Sequence, residues 1–184
     1  MIFTEARLEE AIISLLGEQG YTQVTGNQID RSPEDVLIRA DLESFLMSKY
    51  KGDGITNGEV DQIIRDLERR PSSDLYESNK KFMKMLSDGF NLTREDRSKK
   101  DLFIQLIDYE EMANNQFRIV NQLEIIGYEK RIPDGIIYIN GLPLVVFEFK
   151  SAVRENATIH DAFTQLTVCY KRDIPDLFKY NAII

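Results

Sequence analysis

Three ionisable residues stand in an otherwise oily stretch of this chain: Asp134, Glu148 and Lys150, within the run IPDGIIYINGLPLVVFEFKS that covers 132–151. A buried carboxylate or ammonium costs several kcal/mol unless a partner or a metal compensates it. Glu148 and Lys150 are two residues apart, so a strand puts them on one face. Runs rich in Ile, Val, Tyr and Phe flank Asn140-Gly141, a strong hairpin signal, and a hairpin brings Asp134 back beside Glu148. Two carboxylates on adjacent strands, with a neighbouring backbone carbonyl, are the hard oxygen ligands that Mg²⁺ prefers, and water and phosphate can complete the shell. The chemistry this suits is hydrolysis of a phosphodiester. Lys150 would orient or help deprotonate the attacking water, or neutralise charge in the transition state. The bland reading of D…ExK alone is a solvated strand end with a Glu–Lys pair. Pro133 before the Asp and a hairpin apolar on both faces weigh against it.

Convergence depends on register. A strict two-residue Asn140-Gly141 loop pairs Ile139 with Leu142 and sets Asp134 opposite Phe147, which sends Asp134 and Glu148 to opposite faces. The chemistry therefore requires a three-residue loop or a bulge, using Gly141 at positive φ and helped by Pro143, so that even-numbered residues of both strands share a face.

The elements that must position this hairpin can be read around it. Apolar Leu8, Ile12, Leu15 and Leu16 mark an amphipathic helix from Thr4 to Glu18, stopped at Gly17 or Gly20, and Tyr21 to Val24 reads as a short strand or extended link. Three helices are expected around Asp35 to Lys49, Gly58 to Arg69 and Asp74 to Leu86, the middle one opened by a Thr56/Glu59 capping box. Ser98 to Tyr109 opens with a short helix or an edge strand. Gln116 to Ile126 reads as a strand, Val153 to Thr158 as irregular, His160 to Lys171 as a helix, and Leu177 to Ile184 as the beginning of another strand. Because that strand stops without a turn or a cap, a longer native chain is expected. The whole is an α/β fold with a mixed central β-sheet flanked by helices: one domain over 1–184, with a mainly helical insertion at 26–95 and the catalytic sheet region at 96–184.

Composition narrows the function classes. The 184 residues are 42% hydrophobic and 29% charged, the balance of a globular protein able to bury a core. Cys169 is the only cysteine and His160 the only histidine, which excludes a disulfide framework, a His/Cys zinc site and a Cys-His nucleophile. The opening residues carry acids and no long apolar run, so a cytoplasmic location is expected. A net charge of −8 counts against a free-standing DNA binder, so partners are expected to hold the DNA. Lys130, Arg131, Lys171, Arg172 and Lys179 flank the motif and could touch phosphates, although scattered surface charge is the commoner explanation. No GxxxxGK[ST] phosphate loop is present, so ATP use is not encoded in these residues.

The run RIPDGIIYINGLPLVVFEFKSAV closely resembles the nuclease segment of type I restriction enzyme R subunits, a PD-(D/E)xK pattern that reads approximately R-P-D-x-x-x-x-x-N-G-L-P-L-V-x-x-E-x-K. TEARLEEAIISLLGEQGY, FRIVNQLEIIG and DAFTQLTVCYKRDIPDLFKYNAII resemble the family's first helix, the strand before the Asp, and the helix and strand after it. The resemblance covers both ends and the centre and says little about 26–95.

It implies a restriction-endonuclease-like core, with Asp134 and Glu148 as metal ligands, the backbone carbonyl of Phe149 as a third, and Lys150 as the catalytic lysine. Related nucleases add an upstream helical Glu and a downstream Gln-x-x-x-Tyr pair. At about 100° per residue Glu5 falls in the apolar stripe and Glu9 at its margin, while Glu10 points away, so Glu9 or Glu5 could reach the site. The alternative is an ordinary first-turn Glu favouring the helix dipole. Gln165 and Tyr170 are the nearest candidates for the downstream pair, but four residues separate them rather than three, which counts against Tyr170. The resemblance further implies Mg²⁺-dependent cleavage of double-stranded DNA, with Mn²⁺ able to substitute, an ATP-driven motor later in the chain, and methylation and specificity subunits as partners. Alternatives are a repair or resolvase nuclease of the same class, and a degenerate module that docks DNA or subunits.

Overall fold

The computed structural model describes residues 5–150 and 159–183. Helix α1 (Glu5–Glu18) leads into β1 (Thr22–Thr25), and then come α2 (Arg39–Lys49), α3 (Asn57–Glu68) and α4 (Leu75–Asp88). A small antiparallel pair, β2 (Phe90–Leu92) and β3 (Leu102–Ile104), follows, so the ambiguous 98–109 segment supplies a strand. Strand β4 (Phe117–Asn121), the short pair β5 (Ile125–Ile126) and β6 (Lys130–Arg131), and the hairpin β7 (Gly135–Ile139) and β8 (Leu142–Phe147) complete the sheet region. The chain then runs through α5 (Ile159–Thr164), a π-helical turn (Gln165–Tyr170), the single turn α6 (Lys171–Asp173) and a 3-10 segment at Pro175–Lys179.

Four strands form the main sheet in the order β1-β4-β7-β8. β1 runs parallel to β4 and the other neighbours pair antiparallel, so the sheet is mixed. One hydrophobic core joins it to the helices, with Val120, Ile136, Tyr138 and Val146 packed together with Leu42 and Phe45 of α2, Ile63 of α3, and Leu166 and Tyr170. Burying each of the larger apolar side chains contributes about 1.5–3 kcal/mol, which lets the hairpin tolerate acids at its open end.

The helical region after β1 is anchored by satisfied polar groups. Thr56 and Glu59 form the expected capping box at α3, and the same Glu59, 1% exposed, accepts from Arg94 Nε at 2.7 Å and from the Glu95 amide at 3.0 Å. Helix α2 begins at Arg39, later than the sequence pattern suggests, because the Ile38 amide is committed to the carbonyl of Gly141 at 3.0 Å. The Asn140-Gly141 turn is thus docked beneath α2. Asn140 is fully buried and its side chain accepts from the Gln116 amide at 2.8 Å while donating to Leu106 O at 3.0 Å and Asn115 Oδ1 at 2.8 Å.

The turn and the bulge together set the register. Asn140 (φ 50°) and Gly141 (φ 77°) form a two-residue loop with Ile139 opposite Leu142, so the three-residue alternative does not occur. Tyr138 then faces Pro143 but Ile137 faces Val145, leaving Leu144 as the extra residue of a β-bulge. Pro143 has no N–H for the ladder, and the carbonyl of Leu144 accepts instead from the amides of Ala182 and Ile183 at 2.8 and 3.2 Å. Beyond the bulge Gly135 faces Phe147, so continuing the pairing sets Asp134 opposite Glu148.

Three expectations are corrected. β4 ends at Asn121 rather than continuing to Ile126, because Gln122 turns left-handed (φ 52°). Residues 175–179 are 3-10 rather than strand, started by Pro175 and held by Lys179, whose Nζ donates to the carbonyls of Glu68 and Arg70 near the end of α3. Only Ile183 pairs in strand fashion, parallel to Val145, so β8 lies at the described edge of the sheet and β7 is the interior strand of the hairpin. The Val153 to Thr158 segment lies outside the described residues.

A methyl group at Gly141 would stand 2.2 Å from the Ile38 carbonyl oxygen, in a left-handed conformation. Gly141→Ala is expected to destabilise the fold by about 2 kcal/mol or more, measured as a lowered midpoint in urea unfolding; an unchanged midpoint would show that the turn is not docked under α2.

Candidate active site

The bulge places the open end of the hairpin so that the acids converge. Phe147 and Phe149 stack on each other, with ring centroids 5.7 Å apart, and strand alternation sends Glu148 and Lys150 the other way. The amide of Phe149 donates to Asp134 Oδ2 at 2.6 Å, which joins the two strand ends directly. Lys150 Nζ donates to Glu148 Oε1 at 2.7 Å, and the Glu148 side chain is only 3% exposed.

Tyr170 completes the set. Its hydroxyl donates to Glu148 Oε2 at 2.9 Å, and Gln165 Nε2 donates to that hydroxyl at 2.9 Å. The spacing that counted against Tyr170 is absorbed by the π-helical turn, which holds Gln165 and Tyr170 at its two ends. In a π turn residues five apart superpose as those four apart do in an α-helix, so the extra residue is taken up in the winding and both side chains stay on one face.

Electrostatics follow from this crowding. The Asp134 carboxyl is pushed up to about 6, first by burial and then by the charges of Glu148 and Glu9, against the opposing pull of the Phe149 amide and Lys150. Burial and the Glu148 charge raise the Tyr170 phenol well above its ordinary range, so it stays a hydrogen-bond donor. Glu9 lies at this end of the sheet, half-buried, with Oε1 accepting from Asn121 Nδ2 at 3.2 Å and Gln122 Nε2 at 3.3 Å. Glu10 is exposed, and the side chain of Glu5 falls outside what is described.

The flanking bases are mostly committed elsewhere. Arg131 and Arg172 both pair with the buried Asp173, Lys130 pairs with Glu124, and Lys179 is 3% exposed. Of the five, Lys171 is exposed and makes no ion pair among the described residues.

A family-wide comparison matches residues 2–184 to the type I restriction enzyme R protein N terminus. The chain belongs to this family. Among individual R-subunit relatives, the Type I restriction enzyme HindI endonuclease subunit of Haemophilus influenzae is 41% identical over 125 residues, covering 66% of this chain and 12% of that protein. The SsaAORF53P and SauCOLORF180P endonuclease subunits of Staphylococcus saprophyticus and Staphylococcus aureus are 29% and 28% identical over 179 residues, each match covering 96% of this chain and 18% of the relative. The chain thus spans less than a fifth of the length of these R-subunit relatives. Its restriction-endonuclease-like α/β fold, with the mixed sheet described above, fits the family match.

Two residues that hydrogen-bond Glu9 escaped the sequence reading. Asn121 and Gln122 lie within FRIVNQLEII, where the strand pattern absorbed them; the polar pair interrupting an apolar run was the available signal.

In chelator, the Asp134 carboxyl should titrate near 6 by carbon-13 NMR, and Glu148→Gln should lower that midpoint by removing a neighbouring charge. Because the folded value lies above the ordinary 3.8, Asp134 contributes stability that is complete below about 3.8 and lost as pH rises through about 6. Asp134→Asn should abolish that part of the pH dependence of Tm; a wild-type midpoint near 3.8 would mean that the carboxyl is solvated.

Proposed function

We propose that this chain hydrolyses phosphodiester bonds of double-stranded DNA, with Mg²⁺ as cofactor, as the nuclease part of an ATP-dependent type I restriction enzyme. The observation that carries this reading is the convergence of Asp134, Glu148 and Lys150 at one end of the bulged hairpin. Family membership supports it, since the relatives are named endonuclease subunits of type I restriction enzymes.

The donor set fits a divalent cation. Two carboxylates meet in a half-buried place where one raises the pKa of the other, and a cation there would relieve that repulsion. Mg²⁺ takes one or two carboxylates and fills its shell with water and phosphate, so a pair of acids meets its need. Asp134 and Glu148 would hold the ion with the Phe149 carbonyl as a third ligand, and Mn²⁺ would substitute. When bound, the ion would supply Lewis acidity to the phosphate and to water. Lys150 brings positive charge against the negative charge that develops on the phosphate, and its contact with Glu148 fixes where that charge sits. Tyr170 and Gln165 hold the far oxygen of Glu148 so that its carboxylate cannot rotate away.

The net charge of −8 and the committed flanking bases leave little on this chain to neutralise DNA phosphates. Affinity and site choice are therefore assigned to methylation and specificity subunits and to an ATP-driven motor elsewhere in the enzyme, in the cytoplasm. No described helix is long and apolar enough to cross a membrane.

Nicking of plasmid DNA by the reconstituted restriction complex should fall about a hundredfold or more with Lys150→Ala. Calorimetric Mn²⁺ binding should disappear with Asp134→Ala. Full nicking by the Lys150 variant would remove the lysine from the chemistry, and unaltered Mn²⁺ binding by the Asp134 variant would favour a docking module instead.

A further inference from the structure

Tyr170 can hold Glu148 only if the π turn is seated against the segment that leads into Asp134, and a separate set of bonds seats it. Asp173 lies three residues after Tyr170, on the same side of the helical run, and is 1% exposed. Its carbonyl accepts from the amides of Tyr128 and Glu129 at 2.7 and 3.3 Å. The two backbones approach so closely that a Cβ on Gly127 would stand 2.3 Å from that carbonyl oxygen.

The Asp173 side chain makes the longer reach. Arg131 of β6 donates to its Oδ2 through Nε at 2.7 Å and Nη2 at 2.5 Å, across 42 positions of sequence. Ile132, the next residue, offers its carbonyl to the Tyr170 hydroxyl at 3.5 Å, and Asp134 follows soon after. Arg172 donates to the same carboxylate, at 2.7 Å to Oδ1 and 3.1 Å to Oδ2, but from the adjacent position, so it ties no second segment. Its side chain is 65% exposed against 36% for Arg131. Compensating the buried carboxylate needs one arginine, and Arg172 can supply that; Arg131 adds the crossing.

We propose that Arg131 and Asp173 are positioning residues of the site: their charge-assisted pair braces α6, and with it the end of the π turn, against the 131–134 segment, so that the Tyr170 hydroxyl meets Glu148 where Glu148 lies opposite Asp134. A planar guanidinium giving two bonds to one carboxylate fixes direction as well as distance. Loosening the brace lets Tyr170 withdraw, and the Glu148 carboxylate then turns away from the position in which it shares a cation with Asp134. This inference rests on the metal-dependent reading of the site.

Removing the two arginines one at a time separates bracing from charge compensation. Arg131→Met should fold, because Arg172 still pairs with Asp173, yet Mn²⁺ affinity of this chain, measured by calorimetry, should fall about threefold to tenfold. Arg172→Met leaves the brace in place and should bind Mn²⁺ as the unaltered chain does, whatever it costs in Tm. On a Tyr170→Phe background Arg131→Met should cause no further loss, since Arg131 acts through that hydroxyl. If Arg131→Met is too unstable to titrate, Asp173→Asn, which leaves no buried carboxylate there to compensate, should show the same loss. Unchanged affinity in Arg131→Met or Asp173→Asn would overturn the proposal, as would an equal loss in Arg172→Met or a loss that adds in full to that of Tyr170→Phe. A wild-type chain that binds no Mn²⁺ would sink the metal-dependent reading and this inference with it, a result distinct from any of these.

Discussion

One residue too many in β8 decides what this hairpin can do. Side chains alternate along a strand, so shifting the partner by one residue moves every side chain to the other face. The tight Asn140-Gly141 turn by itself imposes the wrong parity, and the bulge at Leu144 reverses it before the strands reach their charged ends. The parity is then fixed from outside the hairpin. Asn181 Nδ2 donates to the carbonyl of Pro143 at 2.7 Å, and the amides of Ala182 and Ile183 take that of Leu144. The turn at the other end is clamped under α2, so neither end can slip.

With the register set, the remaining devices control charge. Burial resists the ionisation of Asp134, and the nearby charge of Glu148 adds to it. Lys150 offsets part of it at one oxygen of Glu148, and the Tyr170 hydroxyl occupies the second oxygen without bringing a charge. Other buried acids are paired with bases: Asp173 between two arginines, Glu59 with Arg94, and Asp108, held well below the usual carboxylate range by Asn114 and Lys49. The hairpin end thus differs from these three acids in keeping a carboxyl whose pKa is raised, a state that a cation would relieve.

Much of this was legible in the letters because local rules point the same way. The β7 and β8 runs, the Asn-Gly turn and the capping box at Thr56 each carry a short-range signal, and the structure forms all three. The need for a three-residue loop or a bulge followed from parity alone, although the choice of a bulge at Leu144 did not, since that depends on hydrogen bonds from residues almost forty positions later. Long-range effects also hid the rest. The π winding between Gln165 and Tyr170 leaves no mark in composition, and only a hydroxyl placed against Glu148 gives it meaning. Lys179 reads as a surface base until α3 offers it carbonyls, and 175–179 reads as strand until Pro175 starts a tight helical segment there.

Diffraction from crystals soaked in Mn²⁺, with the anomalous signal of the ion used to locate it, tests the central claim without reliance on turnover. The account predicts a single strong site with inner-sphere contacts to the carboxylates of both Asp134 and Glu148, on the face that also carries Lys150. Manganese bound by one of these acids alone, or a density map that places residue 134 across the sheet from residue 148, would contradict it.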